Sequence, residues 1–193
     1  MSMSPDTRCI GMAVAPQLIT NEQHFEQVVL KGILKAEVSL EISTADFKAM
    51  LVPTPGSSAR SRRAPSIVSY LVKLADKGVE IRLLHAGVPS SAALRELKKQ
   101  LPENLQIRRC PRLHAKAVVV DSCVMYLGSA NLTGAGLGAK STRKRNIEWG
   151  IWTYDAGLID EVLGEFNALW EGMHCETCLR RDVCPVPLEE PTL

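Results

Sequence analysis

Residues 113–134 read LHAKAVVVDSCVMYLGSANLTG, and two apolar runs broken by Asp121-Ser122 predict a hairpin, with strands over 113–120 and 123–127. Side chains on a strand alternate between faces, so His114 and Lys116 point the same way and the alanines and valines between them serve the other layer. Asp121 falls on the other parity at the strand's end, where it fixes the hairpin or holds a neighbouring group. The turn Gly128-Ser129-Ala130-Asn131 brings a hydroxyl, an amide and close backbone access to the end of the second strand.

Outward from the hairpin, residues 146–154 read as another strand on which Asn146 and Glu148 share parity. Glu148 is placed to accept a hydrogen bond from the His114 imidazole, fixing its tautomer and raising its nucleophilicity. A helix over 156–170 follows, with Leu158, Ile159, Val162, Phe166 and Leu169 along one side. Upstream, apolar positions at helical spacing predict helices over 21–34, over 66–77 with Gly78 as its stop, and after a cap at Ser90 or Ser91 up to Pro102. Strands over 37–43, 79–85 and 105–108 alternate with them. Such alternation favours an α/β layered fold over residues 1–171, a sheet with helices on its faces. Residues 172–193 form a short cysteine-rich tail packed on the same domain.

The 46% apolar and 23% charged content over 193 residues is that of an ordinary globular chain. No apolar run is long enough to span a bilayer, and the first residues, MSMSPDTRCIG, lack the pattern of a secretory signal, so the expected location is cytoplasmic. Net charge is only +2, from 23 Lys+Arg against 21 Asp+Glu, but its distribution is uneven. Arg60, Arg62 and Arg63 crowd a Pro/Gly/Ser-rich loop over 53–65, Arg108, Arg109 and Arg112 precede the hairpin, and Lys140, Arg143, Lys144 and Arg145 follow it. Basic clusters around one motif point to a polyanionic substrate, with Arg60, Arg62, Arg63, Arg143, Lys144 and Arg145 as its candidate contacts.

Six cysteines without an export signal argue against a disulfide framework. Cys110 and Cys123 read as ordinary packing, and His24 and His85 as structural. Cys175, Cys178 and Cys184 stand together near the C-terminus, and thiolates spaced Cys-x2-Cys converge readily on one metal ion.

The chemistry of the central residues suits phosphoryl transfer. His114 can attack phosphorus in line while Lys116 and Asn131 stabilise charge developing on the non-bridging oxygens, and no metal is required for that step. The pattern His114-x-Lys116-x4-Asp121-x6-Gly128-Ser129-x-Asn131 resembles the HKD signature of the phospholipase D superfamily. Asn146-x-Glu148 is similar to the acidic position that supports the histidine there. Family members use two such motifs; this chain has one, so it resembles the short, homodimeric, nuclease-like branch. The resemblance implies a layered α-β-α domain with a mainly mixed central sheet, and a two-fold dimer in which His114 of one subunit forms a phosphohistidine and His114 of the other acts as general acid and then base. It implies a metal-independent phosphodiesterase acting on nucleic acid, DNA in preference to RNA, within a bacterial restriction, DNA-modification or defence system that supplies other protein partners. The alternatives are a non-cleaving nucleic-acid-binding or assembly subunit, and a phospholipase. With three Phe, three Tyr and three Trp, the chain lacks the aromatic entrance expected of the last.

The spacing Cys175-x2-Cys178-x5-Cys184 is similar to the C-terminal cysteine triplet of iron–sulfur nucleases of the RecB type, where a fourth cysteine lies far upstream. That similarity implies a 4Fe–4S cluster with Cys9 as the fourth ligand. The alternative is zinc held by the three cysteines with Cys9 or His174.

Overall fold

The computed structural model describes residues 15–53, 64–180 and 182–184. The expected loop over 53–65 with Arg60, Arg62 and Arg63, and the expected ligand Cys9, fall almost entirely or entirely outside them.

Seven strands form one sheet: β1 (Gln17–Thr20), β2 (Ser39–Thr44), β3 (Glu80–His85), β4 (Leu105–Arg109), β5 (Ala117–Val120), β6 (Val124–Gly128) and β7 (Trp149–Thr153). Their spatial order is β1-β7-β6-β5-β2-β3-β4. Pairings β2–β3 and β3–β4 are parallel, and the other four are antiparallel. The hairpin β5–β6 therefore lies at the centre and joins a parallel half to an antiparallel half. Its reversal is made by Asp121 and Ser122, both in left-handed backbone at φ 54° and 53°, a conformation Asp and Ser tolerate better than β-branched residues.

Helices α1 (Ile67–Asp76), α2 (Ser91–Lys99) and α3 (Ala156–Trp170) begin where their caps lie. Ser66 Oγ accepts from Ser69 N–H at 3.1 Å, Ser90 Oγ from Ala93 N–H at 3.3 Å, and Asp155 Oδ1 from Leu158 N–H at 2.9 Å, each satisfying an orphan donor of the first turn. The main core, with Ile42, Val118, Tyr126 and Trp152 from the sheet, packs under α1, α2 and the helical segment Phe25–Gly32. Smaller clusters on the opposite face pack Val119 and Met125, and separately Leu84 and Leu113, against α3. The result is the expected three-layered α-β-α arrangement around a mixed sheet.

The end of α3 is fastened to the sheet by stacked cations. The Arg82 guanidinium lies 5.1 Å from the Phe166 ring centroid and 5.7 Å from Trp170, and Arg108 lies 4.6 Å from Trp170. Arg82 also donates to Asn167 Oδ1 at 2.8 Å and to the buried Glu41 at 3.1 Å. Burial pushes the Glu41 carboxyl up from its ordinary value, and Arg82 opposes that shift. After α3, residues 172–180 and 182–184 form turns, bends and irregular backbone with neither strand nor helix.

Three expectations are corrected here and one strand is added. Phe25–Gly32 winds as a π-helix followed by the 3-10 turn Ile33–Lys35 instead of an α-helix; apolar positions 25, 28, 29, 32 and 33 suit either winding. Strands β5 and β7 are shorter than expected, leaving His114, Lys116, Asn146 and Glu148 in the irregular segments that lead into them. The edge strand β1 was not foreseen, because four residues with a single buried side chain carry little periodicity. Cys123, expected to be a packing thiol, is disulfide-bonded.

Candidate active site

The four residues at 114, 116, 129 and 148 sit at one end of the hairpin, where β5 and β7 begin and β6 ends. Gly128 N–H donates to Lys116 O at 3.1 Å, and Ser129 N–H to Trp149 O at 3.0 Å, tying the three segments together. This junction needs glycine on both sides. Gly128 pairs with Gly150, and a Cβ on Gly150 would come to 2.2 Å from the Tyr126 ring, one on Gly128 to 2.6 Å from Gly150 Cα. Tyr126 fills the space under the turn, and its hydroxyl accepts from Ala130 N–H at 2.9 Å. Burial holds the Tyr126 phenol well above its usual range, so it serves as a neutral brace. The buried His24 ring packs edge-on against Tyr126 at 5.3 Å.

His114 is exposed and Lys116 is buried beneath it. The Lys116 ammonium donates to His114 O at 2.6 Å and lies 3.1 and 3.2 Å from the two ring nitrogens. Burial lowers the Lys116 pKa from its ordinary value, and the nearby charge of Glu148 offsets part of that shift. Glu148 is also buried. One of its oxygens accepts from the Ser129 hydroxyl, the other from Asn146 Nδ2 at 2.9 Å. The backbone N–H of Trp149 in turn donates to Ser129 Oγ at 3.1 Å. The expected Glu148–His114 hydrogen bond is thus replaced: the Glu148 oxygens are held by Ser129 and Asn146, and Glu148 acts on Lys116 through its charge.

Two other expected members have more structural placements. Asp121 stands at the opposite end of β5, where Oδ1 accepts from the N–H groups of Glu37, Val38 and Ser39 at 3.1, 2.7 and 3.0 Å. It clamps the entry to β2 and does not reach the cleft. Asn131 Oδ1 accepts from Ala45 N–H at 3.0 Å and Asp46 N–H at 3.1 Å. Pinning the oxygen in this way leaves the amide NH2 as the end that can serve a ligand. Thr44 Oγ1, accepting from Leu132 N–H at 2.9 Å, completes the docking of this turn onto the loop after β2. Thr44 and Tyr126 are positioning residues that no local pattern announced.

The basic residues divide. Arg143 and Lys144 are exposed, whereas Arg145 is mostly covered and paired with the exposed Glu22 at 2.8 Å. Arg108 and Arg109 donate to Trp170 O at 2.7 Å and Ala86 O at 3.1 Å, so they brace the scaffold. Arg112 is exposed and, with His114, lines a cavity of about 300 Å³. Cys110, Cys175, Cys178 and Cys184 border the same cavity. Among the described residues no group of three or more His, Cys, Asp and Glu side chains is gathered closely enough to hold a metal ion.

Residues 29–170 match the family model described as "Cardiolipin synthase, PLD-like domain". The chain belongs to the phospholipase D-like family. Solved structures with the same fold include NucT from Helicobacter pylori, at 15% identity and a TM-score of 0.59, and Nuc from Salmonella typhimurium, a phospholipase D family member, at 19% and 0.58. In both cases 81% of this chain and 95% of the other is covered. A phosphatidylserine synthase from Haemophilus influenzae Rd KW20 aligns over 80% of this chain and 38% of its own, at 16% identity and a TM-score of 0.52. No curated protein sequence matches the chain. At these identities the shared property is the phospholipase D-like fold, and the assignment of roles rests on the residues of this chain.

Proposed function

We propose that this phospholipase D-like protein is a phosphodiesterase that cleaves nucleic acid, DNA in preference to RNA, through a phosphohistidine on His114. The observation that carries the reading is the exposed His114 ring with the buried Lys116 ammonium against it, braced from below by Ser129 and Glu148. A ring nitrogen of His114 attacks phosphorus, forming a P–N bond as the P–O bond to the leaving oxygen breaks. Lys116 and the Asn131 amide stabilise the charge on the non-bridging oxygens. Water then attacks the phosphohistidine and returns the free imidazole. No step uses a metal.

The leaving oxygen needs a proton, and the cluster holds one histidine. His114 of the partner subunit in a two-fold dimer supplies it and afterwards takes a proton from the attacking water. A surface suited to that dimer lies beside the site. Leu18 and Ile151 are register partners on one face of the β1–β7 edge, and with Ile147 and Trp149 they form an exposed apolar strip, Trp149 being 68% and Ile147 83% exposed. Such a strip marks an interaction surface. Exposed Arg112, Arg143 and Lys144 near the hairpin favour a polyanion, and a role in bacterial restriction, DNA modification or defence, with other protein partners, fits such an activity. The cysteine tail is read as a metal-binding element, with an iron–sulfur cluster favoured and zinc as the alternative, outside the chemical step.

The same strip favours one second reading, a phospholipase whose apolar edge meets a lipid surface. Incubating the purified protein with DNA, RNA and phospholipid vesicles in excess EDTA, beside His114→Ala, separates the two. Cleavage of DNA that survives EDTA and disappears in the variant supports the proposal. Cleavage of lipid alone, or DNA cleavage that EDTA abolishes or that the variant retains, overturns it.

A further inference from the structure

The described segment after α3 is built from short turns, with Met173 N–H donating to Ala168 O at 2.9 Å and Cys175 N–H to Gly172 O at 2.9 Å. Gly172 turns it in left-handed backbone at φ 75°, and its described residues form no strand or helix. Its larger apolar side chains face outward, Leu179 being 96% and Met173 74% exposed. Short segments without helix or strand commonly gain their stability from a metal or disulfide crosslink. Yet its three cysteines do not scatter: Cys175, Cys178 and Cys184 border one cavity, and the fourth cysteine on its wall is Cys110.

Cys110 differs from the other three in being mounted directly on the sheet. It directly follows β4, its N–H donates to His85 O at 2.9 Å, and its carbonyl accepts from Leu113 N–H at 2.9 Å. It packs against the small cluster of Leu84, Leu113, Phe166 and Trp170 that seats the end of α3, and it is a free thiol.

We propose that Cys110 is the fourth ligand of a tetrathiolate metal site formed with Cys175, Cys178 and Cys184. It takes the place of Cys9 in the tail reading on which this inference rests. Four sulfur donors suit zinc or an iron–sulfur cluster and disfavour hard cations such as magnesium or calcium. Four thiols lose four protons as they ligate. The sulfurs are not gathered on one point, so loading draws the tail cysteines and Cys110 together. Because His114 lies on the same cavity wall, the closed site also orders the segment that carries the histidine.

The test uses the full chain purified without oxygen and loaded either with Zn(II) alone or with iron and sulfide, visible absorbance and metal analysis distinguishing the two. Loading should protect Cys110, Cys175, Cys178 and Cys184 together from alkylation in the wild-type protein, read by mass spectrometry, and slow amide exchange over residues 110–115. Cys110→Ser should lower metal occupancy tenfold or more, as Cys175→Ser does, while Cys9→Ser keeps it. Metal binding that protects Cys9 and leaves Cys110 reactive overturns the assignment of Cys110 but keeps the metal tail. Failure to bind either metal overturns both, and neither result bears on DNA cleavage by His114.

Discussion

At the scale of single residues, Asp121 and Lys116 show why membership of a motif and participation in chemistry are separate questions. Asp121 stands in the sequence pattern, but its carboxyl accepts three successive backbone N–H groups at the far end of β5. Asp121→Ala should therefore cost about 1–3 kcal/mol of stability through unsatisfied donors, measured by urea denaturation, while kcat at a permissive temperature stays within about twofold of wild type; a loss of kcat in a stably folded variant would return Asp121 to the reaction. Lys116 makes the opposite prediction. In the proposed reaction its cation stabilises charge at phosphorus, and burial lowers its pKa. Activity should fall on the alkaline side at a pH below the ordinary lysine value of 10.5, as Lys116 loses its proton. Lys116→Arg, which stays charged, should move that limb upward in a pH–rate profile. The reading of the hairpin as a parity argument anticipated the His114–Lys116 pair, although the two residues precede β5. What it did not foresee was Arg145 bound to Glu22, because a contact across more than a hundred residues leaves no local trace.

At the scale of elements, the fit between sequence and structure follows the strength of the local signals. The limits of α3 coincide with its apolar stripe and the Asp155 cap, and α1 and α2 start at the serines that cap them. β1 was hidden by its shortness, and the π winding of Phe25–Gly32 by a periodicity compatible with either helix. The contact between β2, β3 and α3 was also invisible, since Glu41, Arg82 and Asn167 come from distant segments. It predicts a pH-dependent stability. A carboxyl whose folded pKa is raised favours the folded state below its unfolded pKa, and this is lost as pH rises through the folded value. Arg82→Ala removes the partner of Glu41 and should raise that pKa further. The variant should lose about 3 kcal/mol at pH 8 and clearly less at pH 4.5, by chemical denaturation at both. An equal loss at the two pH values would mean that the stacking on Phe166 and Trp170, and not the charge on Glu41, dominates.

At the scale of the whole molecule, a single HKD motif per chain turns the proposed two-histidine mechanism into a statement about assembly. The motif was legible from six specified positions within eighteen residues, and the expectation of a second subunit rests on the lack of a second copy. The strip of Leu18, Ile147, Trp149 and Ile151 was not, because exposure is a property of the folded edge. If each reaction needs His114 from two subunits, mixing wild-type protein with His114→Ala under exchanging conditions should lower activity as the square of the wild-type fraction. A linear decline would show that each chain works alone. The central claim is most directly tested by acid-free quenching of the protein during turnover of an oligonucleotide labelled at the scissile phosphate. A label bound to the peptide carrying His114, stable in alkali, released by acid and absent from His114→Ala, is the predicted result; DNA cleaved at full rate with no label on that peptide would contradict the account.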